Sequence, residues 1–150
     1  MSPDLQRIKH IRDYCIAISD TIKRYGHSFE TYASDADYQR SVSFSILQIG
    51  ELSAGLTAEY KQLTVNRVQW GPMKAMRNLV AQNYGKMDQS IIWETATVDI
   101  PALLQFCNEQ LAEYYLNFFR ASPLAWARSV SRKKVLSSHT DSKKPAYRSA

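Results

Sequence analysis

Apolar side chains recur along this chain at steps of three and four. Leu5, Ile8, Ile11, Cys15, Ile18, Ile22 and Tyr25 form one such stripe, which predicts an amphipathic helix with Pro3 in its first turn and Gly26 at its end. A second stripe, Tyr38, Val42, Ile46, Ile49, Leu52 and Leu56, predicts a long helix over residues 35–61 with Ser34 or Asp35 as its cap. The stretch 27–33 between them reads as a polar connection. The run Asn66-Arg67-Val68-Gln69-Trp70-Gly71-Pro72 leads into a third helix with Met73, Met76 and Val80 on its apolar side. Proline is tolerated in a first turn, where its missing N–H has no partner to lose. Gly85 is placed to end that helix in a left-handed conformation, and Asp88 to cap the next. The last regular region covers residues 89 to about 119. Pro101 predicts a break or kink inside it, with Asp99 capping a second half whose stripe is Leu104, Cys107, Leu111, Tyr114 or Tyr115, and Phe118.

No stretch alternates at period two for long enough to argue a strand, and no internal repeat is visible. The fold class expected is all-α, an antiparallel bundle of four or five helices. A chain of 150 residues suffices for one core and is short for two. Residues 1–120 read as the bundle. Residues 121–150 read as a tail rich in Ser, Lys and Arg, largely disordered from about 130, with 123–130 forming a short extra turn of helix around Trp126.

Charge sharpens that division. The net charge is +5, but residues 1–120 hold 12 Lys and Arg against 13 Asp and Glu, whereas residues 121–150 hold 7 basic residues and only Asp141. Basic character therefore belongs to the tail, where it either strengthens contact with a nucleic acid through counterion release or marks a solvated extension. Cys15 and Cys107 sit among apolar neighbours as small hydrophobes, so neither a disulfide framework nor a metal site is implied. The N-terminus lacks the apolar core of a signal peptide, and no run approaches the roughly 20 apolar residues of a membrane span. Cytoplasmic residence without membrane attachment is the expectation.

Candidate chemistry is sparse. His10, His27 and His139 each read as solvated or structurally hydrogen-bonded, and no pair has metal-ligand spacing. There is no glycine-rich phosphate loop and no nucleophile elbow. Gly50, inside the second helix, signals close helix packing beside Glu51. Arg77 interrupts the apolar positions of the third helix, and Tyr84 follows seven residues later at nearly the same azimuth. Asn78, Gln82 and Asn83 are their polar neighbours. A guanidinium there suits phosphate; the alternative is an interhelical pair with Glu51 or another carboxylate.

The run Trp70-x-x-Met73-x-x-Met76-Arg77-Asn78-x-x-x-Gln82-x-Tyr84, then Met87-Asp88 and Trp93, resembles the HEPN superfamily, and within it the HepT-like toxins of HepT–MntA toxin–antitoxin modules. Gln48-Ile49-Gly50-Glu51 and Asp99-Ile100-Pro101 fall where that family often has Ile-Gly-Glu and Asp-Leu-Pro. The resemblance covers about residues 3–118 and leaves the tail unexplained. It implies a homodimer of helical bundles that brings two motifs into one cleft, and a metal-independent endoribonuclease that needs no cofactor. It also implies an MntA-like nucleotidyltransferase antitoxin as partner, which attaches AMP to the tyrosine matched here by Tyr84. Arg77 matches the family arginine and Asn78 its polar companion, with Glu51 in support. Gln82 stands where the family has histidine. An amide cannot shuttle a proton, so the resemblance implies either a weakened ribonuclease of a type VII module or an inactive binding partner and AMP acceptor.

Overall fold

The helix α3 (Ala36–Ala54) buries Tyr38, Val42, Ser43, Ser45, Ile46, Ile49, Gly50 and Ser53, a face wider than the single stripe that the apolar residues alone mark out. Its small members, serines and a glycine, let neighbouring helices come close on more than one side. Both α1 (Pro3–Tyr25) and α5 (Trp70–Asn83) pack along it. The computed structural model describes residues 1–122 and, beyond them, Leu124, Ala127, Arg128, Val130 and Ser131; the side chains of Asn83 and Tyr84 lie outside the described part. Every regular element among the described residues is helical, so the chain is an all-α bundle.

Side-chain caps set most helix starts. Ser2 accepts from the N–H of Leu5 at the head of α1, and Asp35, rather than Ser34, accepts from Asp37 and Tyr38 at the head of α3. Asp88 does the same for Ser90 at the head of α6 (Gln89–Glu94). Each such bond contributes about 1 kcal/mol. Gly26 closes α1 at φ 109°, a conformation that disfavours any other residue there.

Four expectations change. The stretch 27–33 is not a simple connection, because Phe29–Ser34 forms a short helix, α2. It is held by one buried residue: the Tyr32 ring lies 5.2 Å from those of Tyr38 and Trp93, and its hydroxyl donates to Gln89 Oε1 at 2.8 Å. The second helix stops at Ala54 instead of continuing to 61. Leu56 is buried from the turn, and Thr57 starts a separate helix, α4 (Ala58–Leu63), while Asp4 of α1 accepts from both its N–H and its hydroxyl. An apolar residue four positions on thus fills the core without extending the helix. Gly85 has no positive φ and sits in a 3₁₀ turn, Tyr84–Lys86, that ends α5.

Asp99, finally, caps nothing. It closes a π-helical turn, Thr95–Asp99, that joins α6 to α7 (Ile100–Ala121) without a break. The wider turn accommodates Pro101, whose ring would clash with the carbonyl four residues back in a regular α-helix and which has no N–H to offer. Thr97 Oγ1 donates to the Trp93 carbonyl at 2.7 Å.

Contacts divide the chain into a first unit, Met1–Leu111, and a second that begins at Ala112. The core of the first joins Ile8, Ile11, Cys15 and Ile18 of α1 to Ile46 and Ile49 of α3, Ile92 of α6, and Ile100, Leu103 and Cys107 of α7. In the second, the Tyr114 ring stacks on Phe118, and Tyr115 and Leu116 are exposed. Of the stretch 123–130, Leu124, Ala127, Arg128 and Val130 are helical; Trp126, and the tail from residue 132, lie outside the described residues. No helix among the described residues is long and apolar enough to cross a membrane.

Burial pushes the Cys107 thiol up to about 12, and the Cys15 thiol up as well, with Cys107 adding to the effect. Neither forms appreciable thiolate at neutral pH. At pH 8 the folded protein is therefore expected to leave both thiols unreacted toward a chromogenic disulfide reagent, and to titrate both after unfolding in urea. Rapid reaction of either cysteine in the folded protein would contradict this core.

Candidate functional site

The first turns of α5 are fastened by a relay. Trp70 Nε1 donates to Thr64 Oγ1 at 2.9 Å, Thr64 donates to the Tyr60 carbonyl at 2.8 Å, and the Tyr60 hydroxyl donates to Gln110 Oε1 at 3.1 Å. This ties the start of α5 to α4 and α7. An ion pair on the same end, Arg67 with Glu109, holds the Glu109 carboxyl below its usual range, and Arg67 lies over the Phe106 ring.

Two turns further along α5, Arg77 meets α3 where the latter has no side chain. A Cβ built on Gly50 would lie 2.3 Å from Arg77 Cβ, 2.9 Å from its Cγ and 3.3 Å from the Met73 carbonyl. No repacking of a flexible tip relieves that first contact, because Arg77 Cβ is fixed to the backbone of α5. Glycine at position 50 is thus what brings the two helices together at Arg77. The arginine stem crosses over it, and Nε donates to Glu51 Oε1 while Nη1 donates to Asn78 Oδ1 at 3.1 Å. Of the two readings open for Arg77, the interhelical pair with Glu51 is therefore present.

That pair does not close the site. The Arg77 side chain is 30 % exposed and that of Glu51 49 %, and an ion pair so hydrated contributes roughly 0–1 kcal/mol. A guanidinium carries five N–H donors in a planar fork. Glu51 and Asn78 take one each and fix the plane, leaving the Nη2 edge without a described protein partner. An anion approaching that edge meets a cation already oriented.

Gln82 lies apart from this group. Five residues along a helix is a rotation of about 140° from Arg77, Gln82 is exposed, and no described hydrogen bond joins the two. Tyr84 begins the 3₁₀ turn that follows α5; its side chain, like that of Asn83, lies outside the described residues. His10 is exposed on α1, and the exposed His27 ring stands edge-on to Trp93 at 5.6 Å. No described hydrogen bond or ion pair connects either histidine to Arg77. His139 lies outside the described residues. Among the described residues no three His, Cys, Asp or Glu side chains gather as a metal would require.

A central helix notched by glycine, and an arginine held across the notch by Glu51 and Asn78, define the class: an all-α bundle with a candidate anion site on its surface. Within it the chain belongs to the HepT-like family, described as ribonuclease HepT-like, which matches residues 5–110. A protein of Caldanaerobacter subterraneus subsp. tengcongensis named as a candidate RNase is 30 % identical over 104 residues, 69 % of this chain and 90 % of that one. A protein of Thermococcus cleftensis named as a candidate ribonuclease HepT is 31 % identical over 75 residues, 50 % of this chain and 67 % of that one. No solved structure matches the chain significantly.

What the sequence left out was the directness of the Gly50 contact. Glycine inside a helical stripe signals a close approach, but not which residue approaches. Gly50→Ala is expected to destabilise the fold by about 1–3 kcal/mol in urea unfolding, although alanine in an open helix would stabilise it by about 1 kcal/mol. The added variant Arg77→Ala should not restore the loss, because the offending Cβ remains. A more stable Gly50→Ala protein would contradict the close crossing.

Proposed function

We propose that this protein is a HepT-like ribonuclease toxin subunit that cleaves single-stranded RNA without a metal, at a rate limited by Gln82. The observation that carries the reading is the Arg77 guanidinium, oriented by Glu51 and Asn78 and open at its outer edge. In the reaction a ribose 2′-oxygen bonds to the adjacent phosphorus and the bond from phosphorus to the 5′-oxygen breaks. The 2′-hydroxyl loses its proton and the departing 5′-oxygen gains one. Arg77 supplies the part that needs only charge, binding the phosphate and stabilising the extra negative charge as the phosphorane forms.

The proton transfers are the weak part. Gln82 donates and accepts hydrogen bonds but exchanges no proton at neutral pH. It positions the 2′-hydroxyl or a water, and leaves the general acid–base contribution, about 10²–10⁴-fold, unrealised. Because Gln82 follows Arg77 by five residues, about 140° around the same helix, the complete site is read as shared: a second copy brings its Gln82 to face the first copy's Arg77. That makes the working unit a homodimer.

Gln82 also favours a second reading, in which the subunit has lost cleavage and serves as the substrate of a nucleotidyltransferase antitoxin of the MntA type. The Tyr84 hydroxyl would attack the α-phosphorus of ATP, forming a phosphodiester to AMP and releasing pyrophosphate. Placed seven residues from Arg77, the added phosphate would compete with RNA for the guanidinium.

Cleavage of a labelled single-stranded RNA in the presence of EDTA separates the two. The active reading expects slow cleavage by the natural protein, loss of it in Arg77→Ala, and a gain of about 10²–10⁴-fold in Gln82→His. No cleavage by either the natural protein or Gln82→His would overturn it. The acceptor reading expects intact RNA and, after incubation with the partner enzyme and ATP, a mass increase of one adenylyl group that Tyr84→Phe abolishes. An unchanged mass with an active partner would overturn that one.

A further inference from the structure

A cavity of about 360 Å³ opens where α3, the first turns of α5 and the start of α7 meet. Its volume falls at the lower end of the roughly 300–1,000 Å³ typical of small-molecule sites. The floor is apolar and buried, formed by Ile46, Ile49, Val68 and Leu103. Met73 and Met76 make one wall, and their thioethers are polarizable and adapt to a flat ring. The mouth is polar: Arg67 offers a guanidinium that Glu109 pairs, Gln69 an amide, Thr95 a hydroxyl and Asp99 a carboxylate with no ion-pair partner among the described residues. A greasy slot with hydrogen-bonding groups only at its mouth suits a heteroaromatic ring that is apolar on its faces and polar on its edge.

Two further features point the same way. Thr95 and Asp99 are the first and last residues of the π-helical turn; such turns are rare and recur at functional sites. Pro101 explains why the turn is tolerated, but not why both of its polar ends face a cavity. The cavity also shares its wall with Arg77. Gly50 lines it and lies against the arginine stem, and Met73, which also lines it, precedes Arg77 by one turn of α5. A phosphate on the guanidinium is therefore one helical turn from the slot.

We propose that this cavity is a nucleobase subsite, in which a base of the bound RNA lies against Met73 and Met76 and turns its edge to Asp99 and Gln69. The base it suits best is guanine, whose adjacent N1–H and N2–H donors meet the two oxygens of one carboxylate. The inference rests on the reading that Arg77 holds RNA phosphate, and it adds a base preference that a phosphate site alone does not produce.

Ala102 is exposed at the mouth, so Ala102→Trp obstructs the entrance without touching the core, and Asp99→Asn removes the double acceptor while keeping its shape. Binding of short RNAs that differ by a single G, A, C or U to the full chain is expected to favour G by about tenfold. Both variants should abolish that preference, and Arg77→Ala should weaken all four RNAs equally. If Arg77→Ala weakens binding but the natural protein shows no base preference, or keeps it in both variants, the subsite is wrong and the phosphate reading stands. If Arg77→Ala changes nothing, both fall together. Conversion of a dimer to a monomer by Ala102→Trp, seen by sedimentation, would show the cavity to be a protein-docking groove and overturn the proposal.

Discussion

The candidate site depends on an atom that is not there. With no Cβ at Gly50, α3 and α5 approach until the Arg77 stem lies directly on the α3 backbone, and from that contact the rest follows. Glu51, the next residue on α3, is in reach of Nε, and Asn78, the next on α5, in reach of Nη1. Both constrain the guanidinium without burying it. A glycine in mid-helix costs about 1 kcal/mol relative to alanine, and the packing it allows is what that cost obtains. The anchoring of α5 at its other end, through Trp70, Thr64 and Tyr60, keeps the crossing in register.

Much of this was legible in the chain itself, and the gaps have physical causes. The stripe of α1 and the first part of that of α3 appear where periodicity places them, because both helices bury one continuous face. Gly50 beside Glu51, and Arg77 among methionines, stood out as exceptions to that periodicity, and the structure joins them. The failures lie where tertiary contacts override local pattern. Six residues around Tyr32 form a helix because a single ring is buried between others. Leu56 continues the spacing of α3 from a turn. Pro101, which reads as a break or kink, is absorbed by a π turn that buries Ala96.

Gln82 is where family membership and chemistry diverge. In the proposed reading, the arginine, asparagine and tyrosine at the spacing of the HepT-like pattern keep the means of attracting a phosphate, while the group that would move protons is replaced by one that only hydrogen-bonds. The separation of Arg77 and Gln82 by about 140° around one helix gives that loss a geometric context. In the proposed dimer, the Gln82 of one copy faces the arginine of the other and limits what that arginine can accomplish.

The central claim is that Arg77 is a phosphate contact rather than a structural ion pair alone. The salt dependence of single-stranded RNA binding tests it most directly, because each neutralised phosphate releases counterions. For Arg77→Ala, the plot of log affinity against log salt should be shallower than that of the natural protein by about 0.7 for each lost contact, with the helical content unchanged. Parallel plots for the two proteins would contradict the account.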